Sequence, residues 1–149
     1  MPKSRFVYEI YIAASAEIVW KALLDGEFTR QYWEHENVSD WTPGSQWEHR
    51  RADDGTVRIL GEVLEASAPN RLVITWAEPS DRLRRSRHSR VTFEIQPLAD
   101  MVRLTITHDD LEPGSDMERK ISKGWPRVLS SLKSLLETGR PLVTWAKEE

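Results

Sequence analysis

The sequence predicts an α+β fold: an antiparallel, curved sheet of six to seven strands wraps around one long C-terminal helix, with two short helices after the first strand. Three observations carry this. Apolar residues alternate in "RFVYEIYI" (5–12) and again in successive segments up to residue 111, each bounded by a turn signal. Two short stretches of helical character, "AASAEIVWKALLD" and "GEFTRQYW", follow the first strand. Finally, Met117, Ile121, Trp125, Val128, Leu129, Leu132, Leu135 and Leu136 recur at spacings of three and four, the stripe of one amphipathic helix. A sheet with one apolar face and a helix with one apolar stripe must cover each other.

Taken in order, Phe6, Tyr8, Ile10 and Ile12 share one face of the first strand. Ser15 is placed to cap the first helix. Glu17 sits in its first turn, where the helix dipole favours an acid, and Ile18, Val19, Ala22 and Leu23 form its inner face. Gly26 breaks that helix, and a second short one runs to Trp33. Strands are predicted at "ENVSDW", "SQWEHRRA", "TVRILGEVLEAS" (56–67), "RLVITWAE", "RVTFEIQP" and "MVRLTITHDDL". The connections are "TPG", a tight hairpin turn at "DDG" (53–55), "APN" (68–70), a polar loop at "PSDRLRRSRHS" and a turn at "LAD". Gly61 is a candidate bulge. Ser115 or Asp116 starts the long helix, which ends near Gly139, before Pro141. Within it, Pro126 has no N–H for the Ser122 carbonyl, and Gly124 weakens the helix by roughly 1 kcal/mol relative to Ala. A bend is expected there.

A length of 149 residues fits one domain, 1–149, with a core of about 5–139 and a short tail. There is no cysteine, hence no disulfide framework and no thiolate chemistry. The net charge of −3 gives no reason to expect nucleic acid or an acidic membrane as partner. Neither a signal peptide nor a membrane span is read, so a cytoplasmic protein is expected. The arginines at 82, 84, 85, 87 and 90 read as a solvated loop, or as a docking patch for an acidic partner or phosphorylated ligand. The histidines at 35, 49, 88 and 108 lack metal-ligand spacing, and no Gly-rich phosphate loop or nucleophile elbow is present. No metal, cofactor or catalytic residue is therefore assigned.

Tryptophan dominates the aromatic content, 7 against 3 each for Phe and Tyr. Indoles carry large apolar area and one N–H donor, so they suit a core or a ligand pocket. Leu72, Ile74 and Trp76 share a strand face, as do Trp47 and His49. His108 continues the inward row Val102, Leu104 and Ile106, whereas its neighbour Asp109 points the other way. It is either a satisfied histidine at a strand end or a polar anchor facing a pocket. The candidate ligand-binding set is Trp33, Trp41, Trp47, Trp76, Phe93, His108, Trp125 and Leu129, around a cavity between sheet and long helix, roofed by the two short helices.

The segments "ASAEIVWKALLDGEFTRQYW" (14–33), "DWTPGSQWE" (40–48), "GEVLEASAPNRLVITW" (61–76), "VRLTITHDDL" (102–111) and "KGWPRVLSSLKSLLETG" (123–139) also carry a resemblance. In this order the chain resembles the helix-grip superfamily of START domains, polyketide cyclases and birch-pollen-allergen-like proteins. Within it, the chain is similar to the family named for the activator of heat-shock protein 90 ATPase. The resemblance implies the helix-grip fold and leaves three functions open. The first, which we favour, is a binder of a small apolar or aromatic molecule. The second is a co-chaperone contacting the heat-shock chaperone, although this chain is too short to add a separate chaperone-binding domain. The third is a cyclase- or hydrolase-type enzyme with His108 as its acid–base group. A monomer or a homodimer is expected.

Overall fold

A computed structural model describes residues 2–142 of this chain. The tail expected at 142–149 therefore lies outside the described residues, except for Leu142. The chain runs β1 (Ser4–Ile12), α1 (Ala16–Leu24), α2 (Gly26–Trp33), β2 (His35–Ser39), β3 (Gln46–Arg51), β4 (Val57–Ser67), β5 (Arg71–Trp76), β6 (Ser89–Leu98), β7 (Met101–Leu111) and α3 (Asp116–Thr138). The seven strands form one antiparallel sheet in the order β1-β7-β6-β5-β4-β3-β2.

Local chemistry sets the helix boundaries. Ser15 Oγ accepts from the Ile18 N–H at 3.2 Å and starts α1. Asp25 ends α1 by donating its N–H to the Lys21 carbonyl and starts α2 by accepting from the Glu27 N–H at 2.9 Å. Ala16, Val19, Ala22, Leu23 and Leu24 are buried, but Ile18, expected inside, is 42% exposed. Successive helical side chains diverge by about 100°, so a face centred on Val19 and Leu23 leaves Ile18 at its edge. Ser115 caps α3, accepting from the Glu118 N–H at 3.1 Å, and Gly139 closes it in the left-handed region at φ 83°. Its buried stripe is Ile121, Trp125, Val128, Leu129, Leu132 and Leu135, as the periodicity predicts. α3 runs through Pro126 as one continuous element.

The inward rows of β5, β6 and β7 meet this stripe. Leu72, Ile74, Val91, Phe93, Ile95, Val102, Leu104 and Ile106 are all at most 3% exposed. Each such side chain is worth about 1.5–3 kcal/mol on burial, which is why sheet and helix stay together. On the outward face Arg90 grips Asp109 through two nitrogens at 3.1 and 2.7 Å. The loop at 53–55 is longer than a two-residue hairpin: β3 ends at Arg51 and β4 resumes at Val57. The arginine-rich loop holds two single turns of 3-10 helix, with Arg85 bound to Glu62 at 2.6 Å and Leu83 91% exposed at its tip.

Gly61 has a specific task, though not the expected bulge. The register shifts lie at His49/Arg50 and Val63/Glu65. A Cβ on Gly61 would stand 2.0 Å from the Thr75 carbonyl oxygen. Only a bare Cα lets β4 approach β5 this closely. Around it, Leu60 and Ala77 exchange two backbone hydrogen bonds of 2.9 Å, and the Trp47 indole N–H donates to the Thr75 carbonyl at 2.7 Å.

Candidate functional site: an indole-lined cavity

A cavity of about 680 Å³ opens between the first half of α3 and the end of the sheet built from β2 to β5. Pockets for small molecules commonly span about 300–1,000 Å³. One stripe of α3 supplies Met117, Lys120, Ile121, Gly124, Trp125 and Val128. Spacings of three and four put these on one side of the helix. The start of β4 gives Val57, Arg58 and Ile59, the end of β5 gives Trp76, and the following turn gives Glu78, Pro79 and Ser80. Trp33 ends α2, and His35 and His49 come from the paired strands β2 and β3. The expected roof of two short helices is thus reduced to Trp33, since α1 adds no lining residue.

The wall is aromatic. Trp125 lies 5.5 Å from Trp33 and 5.4 Å from Trp76, ring centre to ring centre, both non-parallel. Trp33 packs 4.6 Å from His49, and Trp76 packs 6.1 Å from it. Tilted rings at these separations are the favoured arrangement for aromatic pairs. The Trp76 Nε1–H is buried and finds no hydrogen-bond partner among the described residues. A buried unpaired donor costs about 1–3 kcal/mol.

His35 and His49 stack face to face, 4.3 Å apart and 7° from parallel. His35 Nδ1 donates to the Trp33 carbonyl at 2.8 Å. His49 Nδ1 donates to Asn37 Oδ1 at 2.6 Å, because Asn37 Nδ2 is itself committed to the Leu23 carbonyl at 3.2 Å. Each ring therefore keeps its Nε2 as a lone-pair acceptor. Burial holds the His49 pKa well below its ordinary value, helped by His35 and by the Arg58 charge. Burial lowers His35 too, against the bond to the Trp33 carbonyl, with Arg58 and Arg51 adding to the effect. Both rings are neutral at pH 7. At the mouth, Lys120 approaches Glu78 at 3.9 Å, while Arg58 has no carboxylate partner among the described residues.

His108 sits behind this wall. It is fully buried, and both ring nitrogens are engaged. Trp125 Nε1–H donates to its Nδ1 at 3.0 Å, so Nε2 carries the proton and donates to Ser89 Oγ at 2.8 Å; Ser89 in turn donates to the Trp76 carbonyl at 3.2 Å. Burial depresses its pKa to about 3, against the pull of Asp109. The chain Trp125–His108–Ser89 fixes the position of Trp125. It leaves no lone pair or proton for a ligand.

Of the eight residues singled out from sequence, Trp33, Trp76 and Trp125 line the cavity. Trp47, Phe93 and His108 form a second layer of rings behind them, at 5.5 Å from Trp76, 5.8 Å from Trp125 and 5.4 Å from Trp76 respectively. Trp41 touches the cluster through Trp47, at 6.5 Å, and Leu129 is fully buried in the core. Sequence reasoning did not select His35, His49, Arg58 or Lys120. The signal for His49 was present, since it shares a strand face with Trp47. Nothing local marks His35, which reaches the cavity through the β2–β3 pairing that sets Asn37 opposite His49.

No curated protein matches the chain. Among solved structures it is similar to the Aha1 dimer of Colwellia psychrerythraea, with 20% identity over 91% of this chain and 98% of that one and a TM-score of 0.75. It is also similar to a Mesorhizobium loti protein, with 24% identity over 90% and 97% and a TM-score of 0.73. A third, from Cytophaga hutchinsonii, shows 25% identity over 93% and 97% with a TM-score of 0.72. The family described as Activator of Hsp90 ATPase homolog 1-like protein matches residues 13–137. That span runs from the end of β1 through nearly all of α3, and it takes in every lining residue of the cavity. The chain belongs to the Activator of Hsp90 ATPase homolog 1-like protein family and has its helix-grip fold.

Proposed function

We propose that this chain binds a small apolar or aromatic molecule in the cavity between α3 and the sheet, as a carrier or sensor. The observation that carries this is the wall of Trp33, Trp76 and Trp125 around a cavity of about 680 Å³. An indole wall supplies the apolar area that a small hydrophobic ring buries. Acid–base catalysis through His108 has little support, because both of its nitrogens are occupied. Activation of a chaperone ATPase rests on the family description. It needs a contact surface and makes no use of the cavity.

Native mass spectrometry on protein purified gently from its own cells tests the reading. A discrete mass added to the 17.3 kDa chain, displaced when hydrophobic compounds raise the melting temperature and quench tryptophan, is the expected result. A bare chain whose melting temperature no hydrophobic compound moves overturns it. In that event, a rise in chaperone ATPase turnover on adding the protein would favour the contact reading.

A further inference from the structure

The stacked histidines restrict the ligand. We infer that the molecule bound in this cavity is an aromatic compound bearing a free hydroxyl, and that this hydroxyl donates its proton to His49 Nε2. The inference rests on the ligand-binding reading above and narrows it.

His49 is only 4% exposed, yet its Nε2 has no hydrogen-bond partner among the described residues. Trp76 Nε1 is the one fully enclosed side-chain polar atom that lacks a partner among the described residues. The unpaired Nε2 of His49 therefore still touches open space, and the open space beside this ring is the cavity it lines. The orientation is enforced from behind. Asn37 fixes Nδ1 as the donor, and Asn37 is held by the Leu23 carbonyl and, through its own N–H, by Thr29 Oγ1 at 3.0 Å. The ring cannot turn its protonated nitrogen inward without losing the 2.6 Å bond to Asn37.

The tautomer makes Nε2 an acceptor, so a ligand group satisfying it must be a donor. The surrounding rings select what carries that donor. Trp33 lies 4.6 Å from His49 and Trp76 6.1 Å, so a flat ring pushed against these indoles brings its substituent to the imidazole. Arg58, on the same cavity wall, adds positive charge close enough to act on both histidines. A positive charge disfavours a cationic donor such as an ammonium. It favours a hydroxyl whose oxygen gains negative charge as its proton is shared, which is the behaviour of a phenol. An ether or ester at this position would leave the Nε2 lone pair buried and unpaired.

Three probes of nearly one shape separate the possibilities: naphthalene, 2-methoxynaphthalene and 2-naphthol, titrated calorimetrically at pH 7 into the full chain and into the His49→Phe variant. In the native chain 2-naphthol should bind about tenfold more tightly than 2-methoxynaphthalene, the worth of one buried hydrogen bond. In His49→Phe the ratio of the 2-naphthol to the 2-methoxynaphthalene affinity should fall to about one, whatever the change in naphthalene binding. Should the variant fail to fold, nitrogen NMR of the native chain decides: the His49 Nε2 resonance should shift with 2-naphthol and stay in place with 2-methoxynaphthalene. Equal affinities for the two oxygenated probes, an advantage that survives in His49→Phe, or an unmoved Nε2 resonance overturns the hydroxyl assignment. Naphthalene binding without any hydroxyl preference removes this inference alone, whereas no binding by any probe removes the cavity reading as well.

Discussion

Gly61→Ala should be among the most damaging methyl additions to this chain, and its cost can be worked from the geometry. The new Cβ would lie 2.0 Å from the Thr75 carbonyl oxygen and 2.6 Å from both its carbon and Oγ1. The first two are backbone atoms, so no side-chain rotation relieves them. β4 must move off β5 by more than an ångström. That movement breaks the Trp47 N–H bond to the Thr75 carbonyl and the Glu62 N–H bond to Thr75 Oγ1, 2.7 and 2.9 Å long. Two hydrogen bonds at about 1 kcal/mol each, with about 1–3 kcal/mol for forced overpacking, give about 3–5 kcal/mol. That is a large part of the roughly 5–15 kcal/mol by which a typical domain is stable. Because Trp76 follows Thr75 directly, ligand affinity should fall as well. Urea unfolding followed by tryptophan fluorescence measures the cost. A variant within 1 kcal/mol of the parent, with an unchanged slope, would refute the claim that this close approach is rigid.

Other outcomes follow from the same structure. Stability should fall as pH drops from the ordinary histidine value near 6.5 toward about 3, the depressed value of buried His108. Across that window the unfolded chain binds a proton that the folded one refuses, at up to about 1.4 kcal/mol per pH unit for a fully buried ring. His49 acts in the same direction, so urea midpoints at pH 7.5, 6 and 4.5 should decline steadily; a flat series would contradict neutral buried rings. Gly124→Ala should raise stability by about 0.4–1 kcal/mol, because its Cβ would meet nothing within 4 Å; a lower thermal midpoint would count against this. His108→Phe strands the Trp125 N–H and takes from Ser89 the proton it accepts. It should cost about 2–4 kcal/mol in urea unfolding, and a loss under 1 kcal/mol would show that the chain Trp125–His108–Ser89 does not hold Trp125.

The elements that sequence reveals here are those governed by local periodicity. β1 alternates strictly and is observed to do so, and the α3 stripe is buried as its three-and-four spacing requires. Caps at Ser15, Ser115 and Gly139 depend on a few neighbouring residues. The candidate site was legible only by depth. Strand phase correctly turns Trp47, Trp76 and His108 inward, but inward includes both a cavity wall and the layer behind it. What separates Trp76 from Trp47 is a contact between β4 and β5 at Gly61, twelve or more residues apart in sequence. What separates His49 from His108 is which ring nitrogen a distant partner occupies, Asn37 in one case and Trp125 with Ser89 in the other. Neither kind of information is periodic.

The ring cluster has an optical consequence. Trp41, Trp47, Trp76, Trp125 and Trp33 form an unbroken series, each ring centre within 6.5 Å of the next. At such separations excitation absorbed by one indole migrates among all of them before it is emitted. A molecule that quenches any ring of the cavity wall therefore drains light from Trp41 and Trp47, which it never touches. The interior of this protein is an indole antenna that ends at the cavity wall, so a quenching molecule in the cavity should dim the ultraviolet emission of the whole series in a fluorimeter, without a label.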